Sequence, residues 1–217
     1  AAGFGIGDVV LALVDAGSDV NTVDNVLGYT PLFWAAGFGE PQSVQILLEA
    51  GADVEASNPL GRTVLIIAAI STPSPEVITA LLKAGAEVEA RDGNGMTPLM
   101  WAASYNFRPE VITTLLKAGA EIEARTEDGW TPLILAASNN SSTEVITALL
   151  KAGADVGART KYGRTPLMFA AAKNANPEVI ETLLKAGTDV EAGDENDCTP
   201  LMFAAKNNET PEVIETL

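Results

Sequence analysis

The chain has 217 residues, of which 47% are apolar, 19% charged and only 6% aromatic. That composition suits a packed core of small and aliphatic side chains and excludes a disordered polymer. Thirteen basic against 29 acidic residues give a net charge of −16, which argues against nucleic acid or an anionic membrane as partner; a charged partner would be cationic.

Histidine is absent, which removes serine–histidine–aspartate and cysteine–histidine arrangements and the HExxH zinc motif. A single cysteine, Cys198, allows neither an intrachain disulfide nor a cysteine-rich zinc site. The longest apolar runs, such as Val64 to Ile70, fall far short of the ~20 residues of a membrane span. No basic segment followed by an apolar stretch opens the sequence, so a cytoplasmic setting is favoured.

One pattern runs from end to end. Ala-Gly falls at 16, 50, 84, 118, 152 and 186, a constant step of 34 residues. Leu-Leu precedes it at 47, 81, 115, 149 and 183, and Pro-Glu or Thr-Glu at 75, 109, 143, 177 and 211. Thr-Pro-Leu or Thr-Val-Leu starts at 30, 63, 97, 131, 165 and 199, with a first step of 33. The chain is therefore an array of one supersecondary unit, with no sign of two unlike domains.

Thr97-Pro98 predicts a helix start, since Thr can cap and Pro suits the first helical position. Leu99, Ala102 and Ala103 follow at helical spacing and permit close packing. Asn106 is expected to end this helix in the left-handed conformation, with Asn140, Asn174 and Asn208 in the same place and Gly39 in the first full unit. A second helix starts at Pro109-Glu110, where Glu complements the positive end of the dipole. Val111, Ile112, Leu115 and Leu116 form its apolar stripe. Lys117 sits near its negative end, as do Lys83, Lys151 and Lys185, and Gly119 stops it. Glu121-Ile122-Glu123 reads as a short extended piece, followed by a turn of the type Asp92-Gly93-Asn94-Gly95.

This succession resembles the ankyrin repeat over essentially the whole chain. The marks are the Gly-x-Thr-Pro-Leu-x-x-Ala-Ala opening, the Leu-Leu-x-x-Gly-Ala close and the Asp-x-x-Gly hairpin. The resemblance implies an all-α repeat solenoid of stacked helix-turn-helix units with β-hairpin-like loops, its concave face lined by first helices and hairpins. It also implies protein–protein recognition with no catalytic site and no cofactor. Aligned in this way, residues 1–217 form a single array. A partial unit covers 1–17, full units cover about 24–51, 58–85, 92–119, 126–153 and 160–187, and a partial unit covers 194–217. Both ends stop inside a unit, which leads us to expect a piece of a longer array, monomeric unless its ends self-associate.

The sequence departs from the family pattern at four places. Where the family often has His after Thr-Pro-Leu, this chain has Phe33, Ile66, Met100, Ile134, Met168 and Met202, so apolar packing must replace that residue's hydrogen bonds. Units two to six carry one extra residue between the helices, which should widen that turn. Asp197 replaces the glycine of Gly61, Gly95, Gly129 and Gly163, so its hairpin should be strained or differently shaped. Asp24 to Gly28 is one residue longer than its counterparts and should bulge.

Several motifs read as framework. Gly3 to Asp8 resembles a phosphate loop but lacks a preceding strand and the Lys-Ser/Thr pair, and its alignment with Gly37-Phe38-Gly39 makes it an inter-helix turn. The glycosylation triplets at Asn139, Asn140 and Asn208 lie in such turns. Glu76, Glu110, Glu144, Glu178 and Glu212 recur at helix starts, and Glu87, Glu89, Glu121, Glu123, Asp189 and Glu191 recur along the connecting segments. Recurrence in every unit reads as dipole complementation and solvated faces, with weak divalent-cation binding between hairpins as the alternative. Trp34, Trp101, Phe169 and Phe203, with Ile67 and Leu135, share one helix position and are expected in the core. Cys198 is expected to be a partly exposed free thiol.

The family's variable positions, at the hairpin tips and the ends of the first helices, carry the candidate partner-binding residues. These are Arg62, Arg91, Met96, Tyr105, Arg125, Trp130, Arg159, Tyr162 and Arg164, with Trp130, Tyr162 and Tyr105 as anchors. The same positions also hold Leu60, Asn94, Ser104, Glu127, Asp128, Ser138, Asn139, Lys161 and Lys173. Arg91, Arg125 and Arg159 repeat at one place, flanked by Arg62 and Arg164. They read either as a groove for carboxylates or phosphates or as inter-repeat pairing with Glu89, Asp92, Glu123 or Glu127. The function expected is binding of a protein or peptide on the concave face, without catalysis. The alternatives are a spacer in a longer array and a regulatory segment of an enzyme lying outside these residues.

Overall fold

The computed structural model describes residues 6–174 and 176–207. The expectations for Gly3 to Gly5, Asn208, Glu212 and the chain end at Leu217 lie outside the described residues. A first helix, α1 (Ile6–Asp15), is followed by five helix pairs. They are α2 (Pro31–Phe38) with α3 (Pro41–Glu49), α4 (Val64–Ser71) with α5 (Pro75–Lys83), and α6 (Pro98–Tyr105) with α7 (Pro109–Lys117). Then come α8 (Pro132–Asn139) with α9 (Thr143–Lys151), α10 (Pro166–Lys173) with α11 (Pro177–Lys185), and finally the single helix α12 (Pro200–Asn207). The even-numbered helices stack on one another, the odd-numbered helices stack on one another, and each pair packs internally, giving two helical layers. Among the described residues the loops contain no strand, only an isolated bridge between Ser57 and Thr63.

The helix starts follow from local chemistry. Thr63, Thr97, Thr131 and Thr165 each accept a hydrogen bond from the backbone N–H three residues on. Met100 and Met168 complete a capping box, their Sδ atoms accepting from the N–H of Thr97 and Thr165 at 3.5 and 3.4 Å. A thioether thus supplies part of the hydrogen bonding for which only apolar packing is expected from the sequence. Phe33, Ile66, Met100, Ile134 and Met168 are buried, whereas Met202 is exposed. The second helices end as expected, with Gly85, Gly119, Gly153 and Gly187 in the left-handed region one residue beyond the cap. Leu99, Ala102 and Ala103 from α6, and Val111, Ile112 and Leu115 from α7, are fully buried, and their counterparts continue one core along the stack. Trp34 departs from the expected core position and is 42% exposed, stacked on Phe38 with its edge toward Tyr29.

The inter-helix turns correct the sequence reading. Gly39 is left-handed, with φ 74°, but Asn106, Asn140 and Asn174 are extended, with φ −91°, −108° and −80°. The asparagines serve through their side chains. Asn140 Nδ2 donates to the carbonyls of Ala103 and Asn106 at 3.0 and 2.9 Å, and its Oδ1 accepts from the N–H of Ser142 at 3.0 Å. Asn106 bonds in the same way to Ala69, Thr72 and Arg108, and Asn174 to Ala137, Asn140 and Asn176. All three side chains are buried, so a column of carboxamides links successive units. The column runs through turns that carry the extra inter-helix residue, although Thr72 takes the asparagine's place between α4 and α5. Two residues separate α2 from α3, where a left-handed glycine closes the turn, whereas three separate each later pair.

The connecting segments also differ from expectation. Glu121-Ile122-Glu123 is not extended but turns, the Ala124 N–H donating to the Glu121 carbonyl at 3.1 Å. The turn is accompanied by bonds to the next unit. Glu55, Glu89 and Glu123 each accept the backbone N–H 32 residues on, at Glu87, Glu121 and Asp155, over 2.8 to 3.0 Å. Asn21 accepts from Asp53 in the same register. These repeated carboxylates are therefore junction residues as well as a solvated face. The hairpin loops behave more nearly as read. Asp197 is the one described non-glycine residue with positive φ, 57°, and its loop still closes by the same two backbone bonds as the others. The first loop does bulge, its closing bond running from Asp24 N–H to the Tyr29 carbonyl, one residue further than elsewhere.

Gly157 interrupts the carboxylate column, because it occupies the place of Glu55, Glu89 and Glu123. It lies outside the left-handed region, and a Cβ there meets only Asp155 Oδ1 at 3.4 Å. Gly157→Glu should restore a bond to the Asp189 N–H and raise stability by about 1 kcal/mol, read from urea denaturation. No gain would show that the column adds nothing at this junction.

Candidate functional site

The candidate residues lie on the hairpin side and fall into three groups and a stripe of arginines. In the first, Arg62 stands over the Trp101 ring, 4.2 Å from its centroid, and Trp101 stacks on Tyr105 at 5.6 Å. Asp92 holds this group together. Buried at the start of its hairpin, it accepts from the N–H groups of Asn94 and Met96 and from Trp101 Nε1 at 3.0 Å, and its Oδ2 lies 3.5 Å from Arg62 Nε. Tyr105, at the end of α6, remains 49% exposed.

The second group repeats the same plan three units on, at the positions Arg164, Asp194 and Phe203. Arg164 lies 5.2 Å from the Phe203 ring and pairs with Asp194 at 3.4 Å. Burial pushes the Asp194 carboxyl up, but bonds from the N–H groups of Asn196 and Cys198 and from Arg164 outweigh it and hold the group below its ordinary value. Tyr162, 50% exposed at its hairpin tip, has Lys161 and Arg164 near its ring, at 5.0 and 5.9 Å from the centroid. Lys161 bridges to Asp128 of the preceding hairpin, and that bond keeps its ammonium above the ordinary lysine value. Cys198, in the same loop as Asp194, is a half-buried free thiol.

The third group is more buried. Met96 packs with Met100, Ala124 and Leu135, and the half-buried Trp130 joins this cluster to Ile134 and Phe169, its ring 4.4 Å from that of Phe169. Trp130 therefore serves packing as well as surface, unlike Tyr105 and Tyr162.

The arginine stripe takes a form that the sequence does not reveal. Arg91 Nη1 donates to the carbonyls of Gly95 and, in the next unit, Arg125, at 2.9 and 3.0 Å. Arg125 does the same to Gly129 and Arg159, and Arg159 to Gly163 and Gly193. The pairing is inter-repeat, in line with one of the two readings, but its partners are backbone carbonyls. Of the expected carboxylates, only Glu123 lies beside a stripe residue, at 3.7 Å from Arg125. All three arginines remain exposed.

Away from the hairpins, Glu76 and Glu144 sit at helix starts as expected. A hydroxyl bond from Ser74 lowers the Glu76 carboxyl, and the Glu144 carboxyl is lowered by its own N–H and by Ser142. Among the described residues, no cluster of three or more His, Cys, Asp or Glu side chains is placed to hold a metal ion, and no helix is long and apolar enough to cross a membrane.

Paired helices, capped by Thr-Pro, closed by left-handed glycine and joined by stacked hairpin loops, define a repeat solenoid. The family model for ankyrin repeats matches in three copies, over residues 1–92, 73–160 and 140–217. The chain belongs to the ankyrin repeat family, whose repeats generally serve as protein–protein interaction modules and are typically non-catalytic. A comparison with curated proteins returns no match.

The bonds of Arg125 predict a stability role. Arg125→Ala should lower unfolding free energy by about 1–2 kcal/mol in urea titrations, because two carbonyls lose a charged donor. Unchanged stability would return the stripe to a purely ligand-facing role.

Proposed function

We propose that the hairpin loops and adjoining first helices form the concave face of the array and bind a protein or peptide partner without catalysis. The supporting observation is that Tyr105 and Tyr162 are half exposed yet already have ring contacts, one stacking on Trp101 and the other with two cations beside it. An aromatic ring fixed before binding offers a large contact area at little entropic cost, which is the property of interface anchors. Arg62 stands over Trp101, the ring on which Tyr105 stacks, and Arg164 is one of the two cations beside Tyr162. Arg91, Arg125 and Arg159 keep exposed guanidinium surface after their backbone bonds are made, and so can meet a partner's carboxylates. The remaining charge of the protein is strongly acidic, so a cationic partner is steered toward the rest of the surface.

The test starts with capture of partners on the intact chain at low and high salt, followed by identification and purification of the captured protein. Its Kd is then measured against the wild type and a Tyr105→Ala/Tyr162→Ala double variant. The variant should keep its melting temperature and lose at least about tenfold in affinity. Equal affinity for both proteins would remove the tyrosines, and with them this reading of the face.

A further inference from the structure

Adjacent hairpin loops are joined by one backbone bond at three of the junctions. Gly93 N–H donates to Leu60, Lys161 N–H to Asp128 and Glu195 N–H to Tyr162, at 3.0, 2.9 and 3.2 Å. The equivalent groups between the third loop (residues 92–96) and the fourth (126–130) are the Glu127 N–H and the Asn94 carbonyl, and neither has a hydrogen-bond partner among the described residues. The loops are parted there. A Cβ on Gly61, Gly129 or Gly163 would meet the next loop's backbone at 3.1 to 3.2 Å, whereas one on Gly95 would meet nothing within 4 Å. The first junction also lacks the bond, because Pro59 has no N–H, but its loops remain close, with Pro59 Cδ 2.8 Å from a Cβ on Gly28.

A cleft of about 530 Å³ occupies this open junction. Met96, Trp130 and Leu135 give it an apolar lining, and Ser138 of α8 lines it too. Ser138 is only 5% exposed and its buried Oγ has no partner. A buried hydroxyl without a partner is costly and marks a place where a polar group is missing. The charges around the cleft balance, Glu127 against Lys173, with Asp128 paired to Lys161.

We propose that this junction takes an extended, uncharged peptide segment of a partner protein. The segment's backbone accepts from the Glu127 N–H and donates to the Asn94 carbonyl, and one small polar side chain meets the Ser138 hydroxyl. An amide of a second chain carries the complement of both open backbone groups, and a peptide also brings the side chain that the Ser138 hydroxyl lacks. The inference rests on the reading of this face as a partner-binding surface and adds to it the site and the chemistry recognised.

Pro59 supplies the decisive variant. It occupies the position of Glu127 in the second loop, so Glu127→Pro fits the loop and removes the N–H together with the carboxylate, and Glu127→Ala isolates the loss of the carboxylate. Short random peptides displayed as a library are selected on the intact chain, and the Kd of each winner is measured by fluorescence polarisation. Glu127→Pro should weaken binding by about tenfold or more, and Glu127→Ala, which keeps the N–H, by less than about twofold. Amide exchange at Glu127 should be fast in the free protein and slow with peptide bound. A protected Glu127 amide in the free protein, a library without binders, or binders indifferent to Glu127→Pro would each overturn the proposal. Binders that are lost in Tyr105→Ala/Tyr162→Ala yet indifferent to Glu127→Pro would overturn it while leaving the partner-binding face intact. If Glu127→Pro fails to fold, the exchange measurement on the wild type decides.

Discussion

The third, fourth and fifth full units are each hung on the previous one by a buried carboxamide. Asn106, Asn140 and Asn174 spend both amide hydrogens on carbonyls of the preceding unit and their oxygen on the turn that follows. A primary amide is the one neutral side-chain group, short enough for this turn, that can donate twice and accept once in the same place. Because the groups are buried, water offers no substitute, and the distance between units is set by three hydrogen-bond lengths.

The rest of the framework repeats the same device at the surface. Glutamates at the connecting turns and arginines at the hairpin bases bond to backbone groups one unit ahead, at offsets of 32 and 34 residues. Charged side chains that would otherwise define a binding patch are thus partly committed to holding the stack. Besides the exposed remainder of those guanidinium groups, the hairpin side offers aromatic and amide chemistry: the two half-exposed tyrosines and, at the third junction, a backbone N–H and carbonyl with no hydrogen-bond partner among the described residues. The proposed recognition surface lies where the ladder of junction bonds leaves room for it.

Helix boundaries and caps are legible in the sequence because they are local. Thr97-Pro98 and Pro109-Glu110 fix helix starts through atoms three or four residues away, and Gly119 fixes a stop by its own backbone freedom. The period of 34 likewise implies the stacking. The asparagines mislead for a physical reason: Asn is both tolerant of the left-handed region and a double donor, and only the neighbouring unit reveals which property is used. The same holds for Glu123 and Arg125, whose partners lie a full unit away. The opened junction has no local sign at all, because Gly95 has the same residue type and a similar φ to Gly61, Gly129 and Gly163. Its lining residues Asn94, Glu127, Ser138 and Asn139 stand among the variable positions, but only the spacing of the loops brings them to one cleft.

The central claim is that the inter-helix asparagines act through their side chains across the unit boundary, and replacement of Asn140 by glycine and by alanine tests it directly. If backbone conformation were the requirement, a glycine at this position would serve as well as asparagine and clearly better than alanine. The carboxamide column instead predicts that urea denaturation of Asn140→Gly and Asn140→Ala gives large and similar losses, at least about 2 kcal/mol each, as two buried carbonyls and one N–H lose their partners. Near wild-type stability in Asn140→Gly would contradict the account.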